Sequence, residues 1–119
     1  MKRNWHLIRK ILLKVEQLPT EDSALNSDEL EGFDSEAVAY HMRLLLESGL
    51  IIGGCRDALG PPFCHASRLT WEGHEFIDKI KSESLWHKIN DTARSKGLDL
   101  SFTVIGDLAK SLITAVISQ

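Results

Sequence analysis

Residues 34–52 constrain this chain more tightly than any other stretch. Asp34 suits a helix N-cap, and Phe33 is placed to pack against Val38 across that cap. Residues 37–46 repeat their apolar side chains at helical spacing, Gly49 suits a left-handed helix exit, and 50–52 is a short apolar strand. Beyond it, Gly53, Gly54, Gly60, Pro61 and Pro62 punctuate a turn region before a second strand over 63–69. A helix over 35–48 therefore runs straight into a two-stranded hairpin over 50–69. Helix and hairpin must pack side by side, because so few residues join them.

The remaining segments read as helices around this unit. Trp5, Ile8, Ile11, Leu12 and Val15 share one face of a helix over 3–18, which Pro19 ends. Residues 20–32 are polar and acidic, with 29–33 the candidate for a short strand and 23–30 long enough for two helical turns at most. Thr70 caps a further helix with Phe76, Ile77 and Ile80 on its apolar side. The chain bends or restarts near 82–84. Leu85, Trp86, Ile89 and Ala93 then carry an apolar stripe to a stop at Gly97. Ser101 opens a last helix, with Leu100 placed to staple onto Ile105. At 119 residues this is the length of one domain, 1–119. The expected class is mainly α with a small β-hairpin (α+β), the helices over 70–118 forming a C-terminal extension.

Charge is unevenly spread. The formal net charge is -3, which opposes a strong attraction to phosphate backbones. Residues 1–18 nevertheless hold five basic side chains against Glu16, and residues 20–36 hold seven acids and no base. On the first helix Arg3, Lys10 and Lys14 fall in one stripe, readable either as a solvated face or as a phosphate-contacting one. No signal-peptide pattern or membrane span is present, since the most apolar stretch, 102–117, contains Asp107 and Lys110. With two cysteines only, a reduced cytoplasmic setting is expected.

Catalytic patterns are missing from the sequence: there is no G-x-S-x-G, P-loop, H-E-x-x-H or dinucleotide fingerprint, so no enzyme and no cofactor are expected. Cys55, Cys64, His65 and His74 raise a zinc reading, but they lack the close cysteine pairs of structural sites. Cross-strand neighbours under the hairpin are the plainer reading, and no metal is expected. Trp71 and Trp86 read as core aromatics. The last helix is apolar over more than half its circumference, which points to homodimerisation through Phe102, Ile105, Leu108, Leu112 and Val116.

A capped helix that passes through E-S-G-L-I into a hairpin is how winged-helix domains join their reading helix to the wing. The stretch H-M-R-L-L-L-E-S-G-L-I at 41–51 is similar to the end of the reading helix in winged-helix repressors, which implies major-groove contacts from Tyr40, His41 and Arg43. The runs L-I-R-K-I-L-L at 7–13, H-M-R-L-L at 41–45 with E-S-G-L-I at 47–51, and R-L-T-W-E-G-H-E-F-I-D at 68–78 together resemble a prokaryotic and phage family of hypothetical proteins. That resemblance implies no activity and no catalytic residues. Two readings follow. The first is a phage- or prophage-linked regulator binding duplex DNA as a dimer through Arg3, Lys10, Lys14, Tyr40, His41, Arg43 and Arg56. The second is a winged-helix protein-interaction module that does not bind DNA.

Overall fold

The computed structural model describes residues 1–56 and 59–117, with side chains described as far as Thr114. The described residues form α1 (Trp5–Glu16), β1 (Leu25–Asn26), α2 (Ser35–Ser48), β2 (Ile51–Cys55), β3 (Cys64–Leu69), α3 (Trp71–Ile80), α4 (Glu83–Lys96) and α5 (Phe102–Ile117). The protein is mainly helical with one small antiparallel sheet. Its residues gather into two compact units, Met1–Glu75 and the chain from Phe76 onward.

In the first unit, α1 and α2 cover a three-stranded sheet of order β1-β3-β2. Asn4 caps α1, its Oδ1 accepting from the backbone N–H groups of His6 and Leu7. Trp5, Ile8, Ile11, Leu12 and Val15 are buried as the helical spacing requires. The α2 boundaries match the sequence expectation: Asp34 Oδ2 accepts from the Ala37 N–H at 3.1 Å, and Gly49 leaves the helix at φ 77. Val38, Ala39, Met42 and Leu45 form its buried face. Each fully buried Val, Leu or Met side chain among them contributes roughly 1.5–3 kcal/mol through removal from water.

Two details of the sheet differ from the expectation. The strand preceding α2 lies at Leu25–Asn26, not at 29–33, where the chain forms turns. It pairs with β3 in the register Leu25 to Ala66, and Ser27 extends the pairing by exchanging hydrogen bonds with Cys64 through backbone and hydroxyl. Gly53 and Gly54 belong to β2 rather than to the hairpin tip. A register shift falls between Ile52 and Gly53, and a Cβ on Gly53 would lie 2.0 Å from the His65 carbonyl oxygen. Only glycine allows the strands to approach so closely there.

The end of α2 and the start of α3 clasp each other. The Thr70 hydroxyl donates to the Gly49 carbonyl at 2.6 Å and accepts from the Gly73 N–H at 3.0 Å, while the Thr70 N–H donates to the Leu50 carbonyl. A Cβ on Gly73 would stand 2.1 Å from the Leu50 oxygen. The two most distinctive strings, E-S-G-L-I and L-T-W-E-G, thus owe their Gly and Thr residues to one junction.

The second unit is helical. Ser82 caps α4 and Gly97 ends it at φ 67, with the Leu98 N–H donating to the Ala93 carbonyl. Ser101 caps α5, its hydroxyl accepting from the Val104 N–H at 3.0 Å. Helices α4 and α5 pack together, with Trp86, Ile89 and Ala93 buried on one and Ile105, Leu108 and Ala109 on the other. Phe76 meets Phe102 edge to face at 4.9 Å between centroids.

Candidate interaction surfaces

Helix α2 presents its outer face beside the hairpin. Glu36, Tyr40 and Arg43 line a groove of about 210 Å³ with Met1, Pro62 and Cys64. Tyr40 is half-buried and Arg43 is exposed. An ion pair between Arg43 and Glu47, expected from their i, i+4 spacing, does not form among the described residues. The one cation on this face therefore stands between the exposed carboxylates of Glu36 and Glu47.

His41 is placed elsewhere. It is 2% exposed, and the Asn4 backbone N–H donates to its Nε2 at 2.8 Å. An amide nitrogen can only donate, so Nε2 accepts and the ring proton sits on Nδ1, which donates to the Ala37 carbonyl at 2.7 Å. Nε2 thus fastens α2 to the cap of α1, and Nδ1 anchors the ring to its own helix. The expected groove contact from His41 is corrected to this structural role. The wheel held the signal, since residues 38, 41, 42 and 45 form one stripe at about 100° per residue.

The basic stripe of α1 meets the acidic loop. Lys10 and Lys14 line a hollow of about 400 Å³ together with Glu29, Glu31, Leu25 and Leu30. The Arg3 guanidinium lies 4.7 Å from the Trp5 ring centroid, a cation–π contact. Arg56 donates to the Pro61 carbonyl and stands over the Phe63 ring. Arg9, which was not singled out in the sequence, is buried. The structure thus brings Lys10 and Lys14 together, but opposite carboxylates rather than on an open cationic surface.

The cysteines depart from the expected free thiols. Cys55 and Cys64 face each other in the β2–β3 register and are joined as a disulfide. Their sulfurs are bonded to one another, so the zinc reading loses its two thiolates. His65 stands in register with Asn26 and Gly54, and His74 Nδ1 lies 4.0 Å from Glu16 Oε2. Among the described residues no group of three or more His, Cys, Asp or Glu is placed to hold a metal ion.

On α5, Ile105 and Leu108 are buried within this chain and Leu112 is half-buried. Phe102 remains 37% exposed, and the side chain of Val116 lies outside the described residues. Phe102 and Ile113 border a hollow of about 440 Å³ that also includes Lys79, Gly106, Asp107 and Lys110. Among the described residues no helix is long and apolar enough to cross a membrane.

Trp71 was misplaced by the sequence reading. Trp86 is a core aromatic at 3% exposure, but Trp71 is 77% exposed. Its indole N–H donates to Glu75 Oε1 at 2.6 Å. Helical spacing again carried the signal, because about 100° per residue sets Trp71 half a turn away from Ile80.

The family described as "Hypothetical protein (DUF2513)" matches residues 2–99. An uncharacterized protein of Haemophilus influenzae is 42% identical over 118 residues, covering 99% of this chain and 100% of that protein. No solved structure matches.

Proposed function

Given that the chain belongs to the DUF2513 family of hypothetical proteins, we propose that it is a non-enzymatic, cytoplasmic winged-helix module that docks another protein. The winged-helix reading rests on the order α1, β1, α2, β2, β3, on the sheet order β1-β3-β2, and on α2 feeding directly into the hairpin. The helix that would precede α2 in a full helix-turn-helix is replaced by β1 and turns.

The acidic surroundings of the cations favour protein over nucleic acid. Affinity for duplex DNA grows with the number of phosphates neutralised. Here Lys10 and Lys14 share their hollow with Glu29 and Glu31, Arg56 is folded onto the hairpin tip, and Arg43 stands between two acids. Fluorescence anisotropy with random duplex DNA at two salt concentrations tests the reading. A module of this kind leaves the labelled duplex free at low salt. Tight binding at low salt that falls steeply as salt rises would overturn it.

A second reading has one observation in its favour: Tyr40 and Arg43 remain accessible beside the hairpin, where a reading helix would present them. On that reading the protein is a phage- or prophage-linked transcriptional regulator, dimeric through the part-exposed Phe102 and Leu112 of α5. Replacing Arg43 with Ala would then weaken binding to a chosen operator. On the protein-docking reading it changes nothing in that assay.

A further inference from the structure

We infer that the first turn of α3 is a docking site for an arginine side chain of a protein partner, stacked on Trp71 and held by Glu75 and Glu72. This inference deepens the protein-docking reading and rests on it.

The geometry begins with a ring that the fold does not use. Trp71 is 77% exposed, so it offers on the order of 150–200 Å² of aromatic surface to a partner. Among the described residues its one polar or ring partner is Glu75. That bond places a carboxylate at the edge of the indole and leaves the faces of the ring to a partner.

The backbone beneath the ring is set. Thr70, immediately before Trp71, is fixed by hydrogen bonds to Gly49, Leu50 and Gly73, and Gly73 is pressed onto the Leu50 carbonyl. The exposed residues of this turn on the outer side, Trp71, Glu72 and Glu75, therefore stand on a rigid base.

Charge selects the occupant. The face of an indole attracts cations, and Glu75 at its edge and Glu72 on the same helical turn have no cation within salt-bridge distance among the described residues. Glu75 uses Oε1 for the indole and keeps Oε2 available as an acceptor. A guanidinium satisfies both demands at once, stacking flat on the ring while donating N–H groups in plane to a carboxylate. An ammonium has no planar face to stack and matches the ring less closely. The same carboxylates repel phosphate, which argues against a base-stacking platform of the kind that binds single strands.

Titration with a short peptide containing two arginines, followed by tryptophan emission and by calorimetry, tests the site. Trp5 and Trp86 are buried, so an emission change reports Trp71. Saturable binding is expected, several-fold weaker for the lysine version and undetectable for the glutamate version. Trp71→Ala is expected to weaken the arginine peptide at least about fivefold, and Glu75→Gln about threefold, with melting curves confirming that both variants fold.

Equal binding by Trp71→Ala, or equal binding of arginine and glutamate peptides, would overturn the proposal. So would a Trp71 emission change produced by oligothymidylate, which would assign the ring to nucleic acid. Failure of the peptide titration alone removes this site, while the duplex-DNA assay separately decides the protein-docking reading.

Discussion

Two charged surfaces of the first unit differ in their surroundings. On α1, Lys10 and Lys14 line one hollow with Glu29 and Glu31, so cations and carboxylates share a surface. On the first turn of α3, Trp71 and Glu75 meet only each other, and Glu72 has no partner among the described residues. The sequence leaves the basic stripe open between a solvated face and a phosphate-contacting one, and it suggests a tryptophan waiting for a core. The lesson concerns where tertiary structure places complementary groups. Two of the seven acids within residues 20–36, Glu29 and Glu31, line the same hollow as the cations Lys10 and Lys14. An aromatic half a turn away from its helix's apolar side has nowhere inside to go.

The largest expected effect breaks the base on which the Trp71 surface stands. Gly73→Ala would set a methyl group 2.1 Å from the Leu50 oxygen, with the Leu69 Cβ 3.3 Å away, so backbone must move. A loss of about 3 kcal/mol follows from overpacking against main chain, read as a lowered urea midpoint. A midpoint within experimental error of the parent's would mean that α2 and α3 do not clasp as described.

Opening the hairpin comes next. Cys55 and Cys64 are nine residues apart in sequence, and a closed loop of that size contributes about 2–3 kcal/mol by restricting the unfolded chain. The Cys55→Ser/Cys64→Ser pair should melt correspondingly lower, and reduction of the parent should reproduce that shift. If the cytoplasmic placement is right, alkylation of protein from freshly lysed cells should find these thiols at least partly free. Full protection there would point to an oxidising compartment instead.

His41→Ala follows, at about 1–3 kcal/mol, because it leaves the part-buried Asn4 N–H without its partner. Unchanged thermal stability would restore His41 as a surface residue and reopen its role in reading a groove.

These effects also mark what the sequence could and could not disclose. Helix α2 was legible to the residue, because Asp34 and Gly49 are local signals whose geometry depends on neighbours in the chain. The burial of His41 and the exposure of Trp71 were legible in principle from helical spacing. Residue type misled in both cases, histidine suggesting surface and tryptophan suggesting core. Strand β1 was not legible: two residues carry no period, and Leu25–Asn26 exists because β3 offers it a register. The two cysteines were legible as cross-strand neighbours under the hairpin, and the register pairs Cys55 with Cys64. The disulfide between them was not, because the register shift at Gly53 decides that they face each other directly. The hollow that joins Lys10 and Lys14 to Glu29 and Glu31 is wholly tertiary, and the charge distribution alone left its partner open.

The smallest expected effect bears most directly on the contrast between the two surfaces. Trp71→Ala removes a ring that is 77% exposed and a hydrogen bond to an exposed carboxylate, where water replaces the lost partner. Surface changes of this kind stay within about 0.5 kcal/mol, so the urea midpoint should hardly move. A tryptophan that packed the fold would instead cost several kcal/mol on truncation. A near-zero change in stability leaves packing unable to account for a large aromatic at this position, and leaves contact with a partner as the physical role that the ring and its neighbouring carboxylates fit. A loss of several kcal/mol would place Trp71 back among the core residues and remove the contrast with the α1 surface.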